Sequence, residues 1–185
     1  NFTDPESRIM VRNGVFVQAY NAQAAVSEDQ LVLAHGLTNA GNDASLLIPM
    51  VERVHETTGA FPQVLSADTG YLADENLRYC SDRAIDAHVA LRPVDEIVDA
   101  RPATPNAARR YLMQLKLRSK RGREIYARRK VIVEPVFGQI KAAMGFRRFS
   151  LRGLAKAASE WGIVCACHNL LKLFRRGRRL TTATA

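Results

Sequence analysis

The chain has 185 residues, 47% of them hydrophobic, and a net charge of +9. That is enough for one domain with a core, while the lack of a long apolar run speaks against a membrane span and the lack of a charged-then-apolar leader against secretion. Three cysteines, Cys80, Cys165 and Cys167, lack zinc-ligand spacing and are expected to be reduced core thiols of a cytosolic protein. The opening Asn-Phe-Thr-Asp has no initiator Met, which reads as a body whose N-terminal part is absent.

In chain order, Val15–Val26 and Leu31–Leu37 are apolar and β-compatible around the polar turn 27–30, and predict a β-hairpin. Asn42 or Asp43 offers a cap to a following helix, in which Leu46, Leu47, Met50, Val51 and Val54 make an inward stripe and Gly59 a stop. Val64–Ala67 is a short apolar run ending at Asp68, and Thr69-Gly70 turns the chain. Ala73–Ala84 predicts a second helix with Asp74 and Glu75 in its first turn. His88–Leu91 predicts a strand stopped by Arg92-Pro93, and 94–105 a loop. From Asn106 the chain is basic and helical. The helix carrying Glu134 starts no later than Ile125, and Pro135 predicts a kink or restart. Gly145–Ser150 reads as a linker, Leu151–Phe174 as a final half-buried helix, and 175–185 as a basic, disordered tail. The order of elements gives an α/β domain with a mixed sheet flanked by helices, in a ribonuclease-H-like layout with a basic helical C-terminal part.

Charge is segregated along the chain. Residues 1–100 carry 6 Lys and Arg against 15 Asp and Glu, whereas 101–185 carry 21 against 3. A basic half beside an acidic half points to a polyanion partner on one face and a cation site elsewhere. The bland alternative is a solvated basic surface, against which arginine outnumbering lysine favours phosphate contacts.

Three segments carry chemistry. Asp68 ends a short apolar strand before a glycine turn, where open α/β sheets place ligand-facing side chains, and a carboxylate there can hold Mg²⁺. Its alternative is a turn aspartate bonding its neighbours. Glu134 is nearly alone among cations; on a helix it shares a face with Lys141, seven residues on, beside Val133, Phe137 and Ile140. It reads as a metal ligand flanked by phosphate-binding Arg129 and Lys141, or as a carboxylate in plain ion pairs. Asp4, before Pro5, is a turn aspartate unless the other two draw it into a site.

The words TDPESRIM (3–10), AYNAQAAV (19–26), SADTGYLADENL (66–77), RRKVIVEPVFGQIKAAMGFRRFSLRGL (128–154) and CHNLLKL (167–173) resemble the catalytic domain of bacterial insertion-sequence DDE transposases over nearly the whole chain. The resemblance implies a ribonuclease-H-like catalytic domain over 1–174 without its DNA-end-binding region. It implies Asp4, Asp68 and Glu134 as catalytic metal ligands, Mg²⁺ (with Mn²⁺ as substitute, two ions) as cofactor, and DNA strand cleavage and strand transfer as the reaction. Tyr126, Arg129, Glu134 and Lys141 resemble the family's Tyr/Arg/Glu/Lys signature, except that Arg129 lies five residues before Glu134 and Lys130 holds the place four before it. With them, Arg147, Arg148 and Arg152 are expected to bind DNA. Many relatives have Asp where Ser27 stands; Ser27 is read instead as part of the hairpin turn, and Asp43 is the fallback for Asp4. Expected partners are transposon ends, target DNA and further copies of the chain at the nucleoid in the cytoplasm, with neither a membrane nor a small-molecule substrate. The alternative is an inactive transposase remnant or a non-catalytic nucleic-acid-binding protein.

Overall fold

A computed structural model describes residues 2–12, 14–92 and 102–183, excluding the side chains of 12 and 178–183. In chain order the elements are β1 (Arg8–Arg12), β2 (Val15–Ala19), β3 (Asn21–Val26), β4 (Val32–Thr38), α1 (Leu47–Thr58), β5 (Val64–Ala67), α2 (Asp74–Asp82), β6 (Asp86–Val89), α3 (Pro105–Arg118), α4 (Lys120–Gly138) and α5 (Leu154–Ala183). A 3₁₀ turn (Thr69–Tyr71) follows β5, and a π-helical turn (Gln139–Ala143) follows α4. This is a mixed α/β chain, divided into two compact units: residues 1–41 with 132–185, and residues 42–131.

The first unit is built on two hairpins. The apolar stretch expected as one strand over Val15–Val26 breaks at Tyr20 into β2 and β3, which take different partners. β2 pairs antiparallel with β1, from Arg8↔Ala19 to Arg12↔Val15, and Gly14, just before β2, has φ 76. In the sequence, Asn13-Gly14 is a dipeptide that favours a tight hairpin, and β1 is a strand the sequence reading missed. β3 pairs with β4 from Asn21↔Thr38, with a bulge at Ala25/Val26. Among the described residues the strands form three two-stranded sheets, not the single mixed sheet expected.

α5 closes this unit by packing on β4. Trp161, 2% exposed, donates from Nε1 to the Gln23 carbonyl at 2.9 Å and stacks near Phe137 and Phe146. Val32, Val136, Ile140, Val164 and Cys165 complete the core. The CHNLLKL word has a structural use here. Asn169 bonds both backbone groups of Val32 at 2.8 Å, His168 Nε2 meets the Gln30 carbonyl at 2.9 Å, and Lys172 donates to the Gln30 side chain. These bonds brace a turn in which Gln30 takes a left-handed φ of 62. Cys165 is buried as expected, but Cys167 is exposed because it lies on the opposite face of α5.

In the second unit, β5 and β6 pair in parallel from Val64↔Asp86 to Ala67↔Val89, so β6 starts two residues before the strand expected at His88–Leu91. α1 buries Leu47, Met50, Val51 and Val54, the expected stripe, and ends at Gly59 with φ 77. Neither Asn42 nor Asp43 caps it: Leu46 is the N-cap and its side chain makes no capping bond. α2 carries Asp74 and Glu75 in its first turn, as expected. α3 is capped by Thr104, whose hydroxyl accepts from Ala107 N at 3.2 Å, with Pro105 in its first turn where no N–H is needed. The loop expected over 94–105 lies outside the described residues as far as 101. α4 runs through Pro135 without a break, and its Glu134 stretch begins before Ile125, as expected. Leu47, Val51, Leu77, Cys80, Ile85 and Val89 form the core of this unit with Met113 of α3. No described helix is long and apolar enough to cross a membrane.

Candidate active site

Asp68 is the first residue beyond the carboxyl end of β5, the expected position. It caps the 3₁₀ turn, with Oδ1 accepting from Gly70 N at 3.0 Å. Gly70 makes room for more than the turn. A Cβ there would meet Asp43 Oδ2 at 3.0 Å and Asp68 Oδ1 at 3.1 Å, so two carboxylates flank one Cβ-sized space. Arg129 NH1 stands 3.9 Å from Asp68 Oδ2, and its guanidinium lies over the Tyr126 ring at 5.5 Å. Arg129 is thus turned toward a carboxylate, whereas its neighbour Lys130 is exposed. The Asp68 side chain is 46% exposed, which leaves it open to a ligand.

Asp4 and Glu134 belong to the first unit. Asp4 Oδ1 accepts from the Tyr20 hydroxyl at 2.6 Å and from Gly153 N at 3.3 Å. The Tyr20 bond holds the Asp4 carboxyl below its ordinary range, while burial and the same bond push Tyr20 up to about 12. Glu134 is exposed and makes no hydrogen bond or ion pair among the described residues. Lys141 lies in the π-helical turn that follows α4, where Met144 N bonds Gln139 O at 3.0 Å, five residues back. The Lys141 ammonium sits 5.6 Å from the Phe137 ring centroid. Of the apolar stripe expected beside Glu134, Ile140 is buried and Val133 and Phe137 partly so. Val136 is buried with them. Arg147, Arg148 and Arg152 are exposed on the segment between the π turn and α5. Ser27 is in the hairpin turn, as read: Gln30 N and Leu31 N donate to its carbonyl and hydroxyl, at 2.8 and 3.1 Å.

The donor chemistry fits a hard divalent cation. Asp43 and Asp68 offer carboxylate oxygens around a shared space, and like charges so close favour a cation between them. The group is a pair, since among the described residues no three His, Cys, Asp or Glu side chains are grouped to hold a metal ion. The approach of Asp43 to Asp68 is the feature the sequence concealed. The only signal for it was an aspartate placed just before a helix, which reads equally well as a cap.

A family model described as a transposase DDE domain matches residues 6–170. No curated protein and no solved structure matches the chain. The match makes DNA the partner class and divalent metal the cofactor class. With its matched span covering most of its length, the chain belongs to the transposase DDE domain family.

Proposed function

We propose that the chain cuts DNA at the ends of a bacterial insertion sequence and joins those ends to target DNA, using Mg²⁺ on a ribonuclease-H-like fold, as a homo-oligomer at the nucleoid. The observation that carries this reading is Asp68, set past the carboxyl end of a parallel strand, with Asp43 facing it over Gly70 and Arg129 behind it. Paired divalent ions supply activation of the attacking oxygen and stabilisation of the leaving oxygen in an in-line displacement at phosphorus. Asp68 and Glu134 hold the metal, with Asp4 as third carboxylate. None of them forms a covalent bond; they fix where the charge sits. Arg129 orients Asp68 through its outer oxygen. Tyr126, Lys130, Lys141, Arg147, Arg148 and Arg152 contact phosphates and set the register of the DNA.

A second reading puts Asp43 in the place of Asp4. It is favoured because Asp43 shares the Gly70 space with Asp68, whereas Asp4 is engaged by Tyr20 and Gly153. Metal-dependent cleavage of an end-sequence duplex, in Mg²⁺ or Mn²⁺, tests both. Glu134→Gln and Asp68→Asn are expected to abolish it; near-wild-type cleavage by either sinks the assignment. Loss in Asp43→Asn with retention in Asp4→Asn selects the second reading, and the reverse selects the first. A wild-type chain that binds DNA and cleaves none is an inactive remnant. Binding itself is expected to weaken about 10³–10⁵-fold between about 50 and 200 mM salt if roughly 6–10 cations meet phosphates.

A further inference from the structure

The segment between the π turn and α5 carries three exposed arginines, and its backbone is anchored around them. It reads Phe146-Arg147-Arg148-Phe149-Ser150-Leu151-Arg152, set between two left-handed glycines, Gly145 with φ 71 and Gly153 with φ 83. Glycines at both ends leave such a loop a wide choice of conformations, so its shape must come from contacts. The sequence supplies them by mixing anchors with cations. Phe146 and Phe149 turn inward and meet edge to face at 5.3 Å, Phe146 beside Trp161 and Phe149 beside Tyr20. Arg147 and Arg148, between them, and Arg152 stay exposed. Glu160, in the second turn of α5, holds the next stretch. Both of its carboxylate oxygens accept from Ser150 N, at 2.9 and 3.0 Å, and one of them also accepts from Leu151 N at 3.0 Å. At the exit of the loop, Asp4 Oδ1 accepts from Gly153 N at 3.3 Å and Glu6 Oε2 from Leu154 N at 2.9 Å.

Glu160 is the only acid in the chain after Glu134. An acid beside a basic loop ordinarily weakens the attraction of that loop for DNA. Here the carboxylate is given to backbone amides, and it fixes the chain that displays the guanidiniums. The ordering that three arginines need to meet a run of phosphates is then set before DNA arrives, instead of being charged against binding. Resting on the DNA-processing reading above, we infer that residues 146–152 form a preformed clamp on the phosphates of duplex DNA, with Glu160 as its positioning residue. Arg147, Arg148 and Arg152 meet the phosphates, and Glu160 acts only through the backbone of Ser150 and Leu151.

Glu160→Ala and Glu160→Gln make the test, because both remove one negative charge and only glutamine keeps an oxygen to accept from Ser150 and Leu151. On charge alone, both variants tighten DNA binding. The clamp predicts that they part. Fluorescence anisotropy on the full chain, with a short labelled duplex in EDTA, is expected to show binding weakened about tenfold in Glu160→Ala, the order of one hydrogen bond to a charged group. Glu160→Gln is expected to bind no more weakly than wild type. The slope of log affinity on log salt is expected to fall by about 3 when Arg147, Arg148 and Arg152 are all alanine, and by about 1 in Glu160→Ala. Trypsin reads the loop without DNA. Cutting after these arginines, scored by mass mapping against the other tryptic sites, is expected to be about tenfold faster in Glu160→Ala than in wild type or Glu160→Gln. Duplex binding by Glu160→Ala as tight as by Glu160→Gln, an unchanged salt slope in the arginine variant, or equal cutting of the loop in all three proteins overturns the proposal. These binding effects without metal-dependent cleavage count against the transposase reading alone, and intact cleavage beside tight binding by Glu160→Ala counts against the clamp alone.

Discussion

Gly70→Ala separates the metal site from the fold. Gly70 is not in the left-handed region, so alanine takes the same backbone without strain. It gains up to about 1 kcal/mol by restricting the unfolded chain. Against this, the new methyl meets Asp43 Oδ2 at 3.0 Å and Asp68 Oδ1 at 3.1 Å, so each oxygen must retreat by a few tenths of an ångström. Asp68 is half exposed and can do so, with weakening of its bond to Gly70 N, which is worth about 1 kcal/mol. The two terms nearly cancel, and the melting temperature is expected to stay within about 3 °C of wild type. The chemistry does not share that tolerance. A misplacement of about 1 Å can cost about 100-fold in rate, so a carboxylate moved by a fraction of that is expected to cost about tenfold. The assay is metal-dependent cleavage of an end-sequence duplex, run beside a thermal melt of the same preparation. Wild-type cleavage by a folded Gly70→Ala protein refutes a role for the Asp43–Asp68 pair. A melting temperature lowered by more than about 8 °C refutes the packing argument, because the glycine would then be serving the backbone.

Trp161→Ala is expected to destabilise by about 3–5 kcal/mol in urea titrations followed by circular dichroism, since the indole is 2% exposed and its Nε1 bond is lost too. A loss below about 1 kcal/mol would show that the aromatic cluster is not the core of its unit. Asp86 is held below the ordinary carboxylate range, first by Lys116 at 2.7 Å and then by His88. A depressed folded value adds stability above the unfolded value, about 3.9, and loses it as pH falls through the folded value. The melting gap between wild type and Asp86→Asn, about 2–4 °C at neutral pH, is therefore expected to close near pH 2; a gap that persists there would point to packing instead. Burial pushes Cys80 up to about 11 and Cys165 up to about 12, while Cys167 is exposed. Native protein at pH 8 is expected to take one iodoacetamide adduct, on Cys167, by peptide mass mapping. Rapid labelling of Cys80 or Cys165 would contradict their burial.

What could be read in advance was local. The periodicity of Leu47, Met50, Val51 and Val54 gave α1 and its buried face, and the run ending at Asp68 gave a strand with a carboxylate at its tip. The β1–β2 hairpin had a local signal, the Asn13-Gly14 dipeptide, that was passed over. What escaped otherwise lay beyond local pattern: nothing near Tyr20 marks where β2 ends and β3 goes forward to β4, because the whole stretch is equally apolar and β-compatible. Asp43 looked like a cap because its approach to Asp68 joins residues far apart in the sequence. The π turn after Gly138 leaves no mark on hydrophobic spacing short enough to notice.

The brace from α5 onto the hairpin turn bears on how such a chain ages. Ser27 is held by backbone bonds at both sides, and His168, Asn169 and Lys172 secure the residues next to it. Its hydroxyl only accepts a bond from Leu31 N, a task an aspartate performs equally well at the first position of a turn. Exchange of serine and aspartate there is invisible to folding, so selection for a stable protein does nothing to keep an acid at that place. A lineage can drift across that exchange in either direction with its hairpin intact.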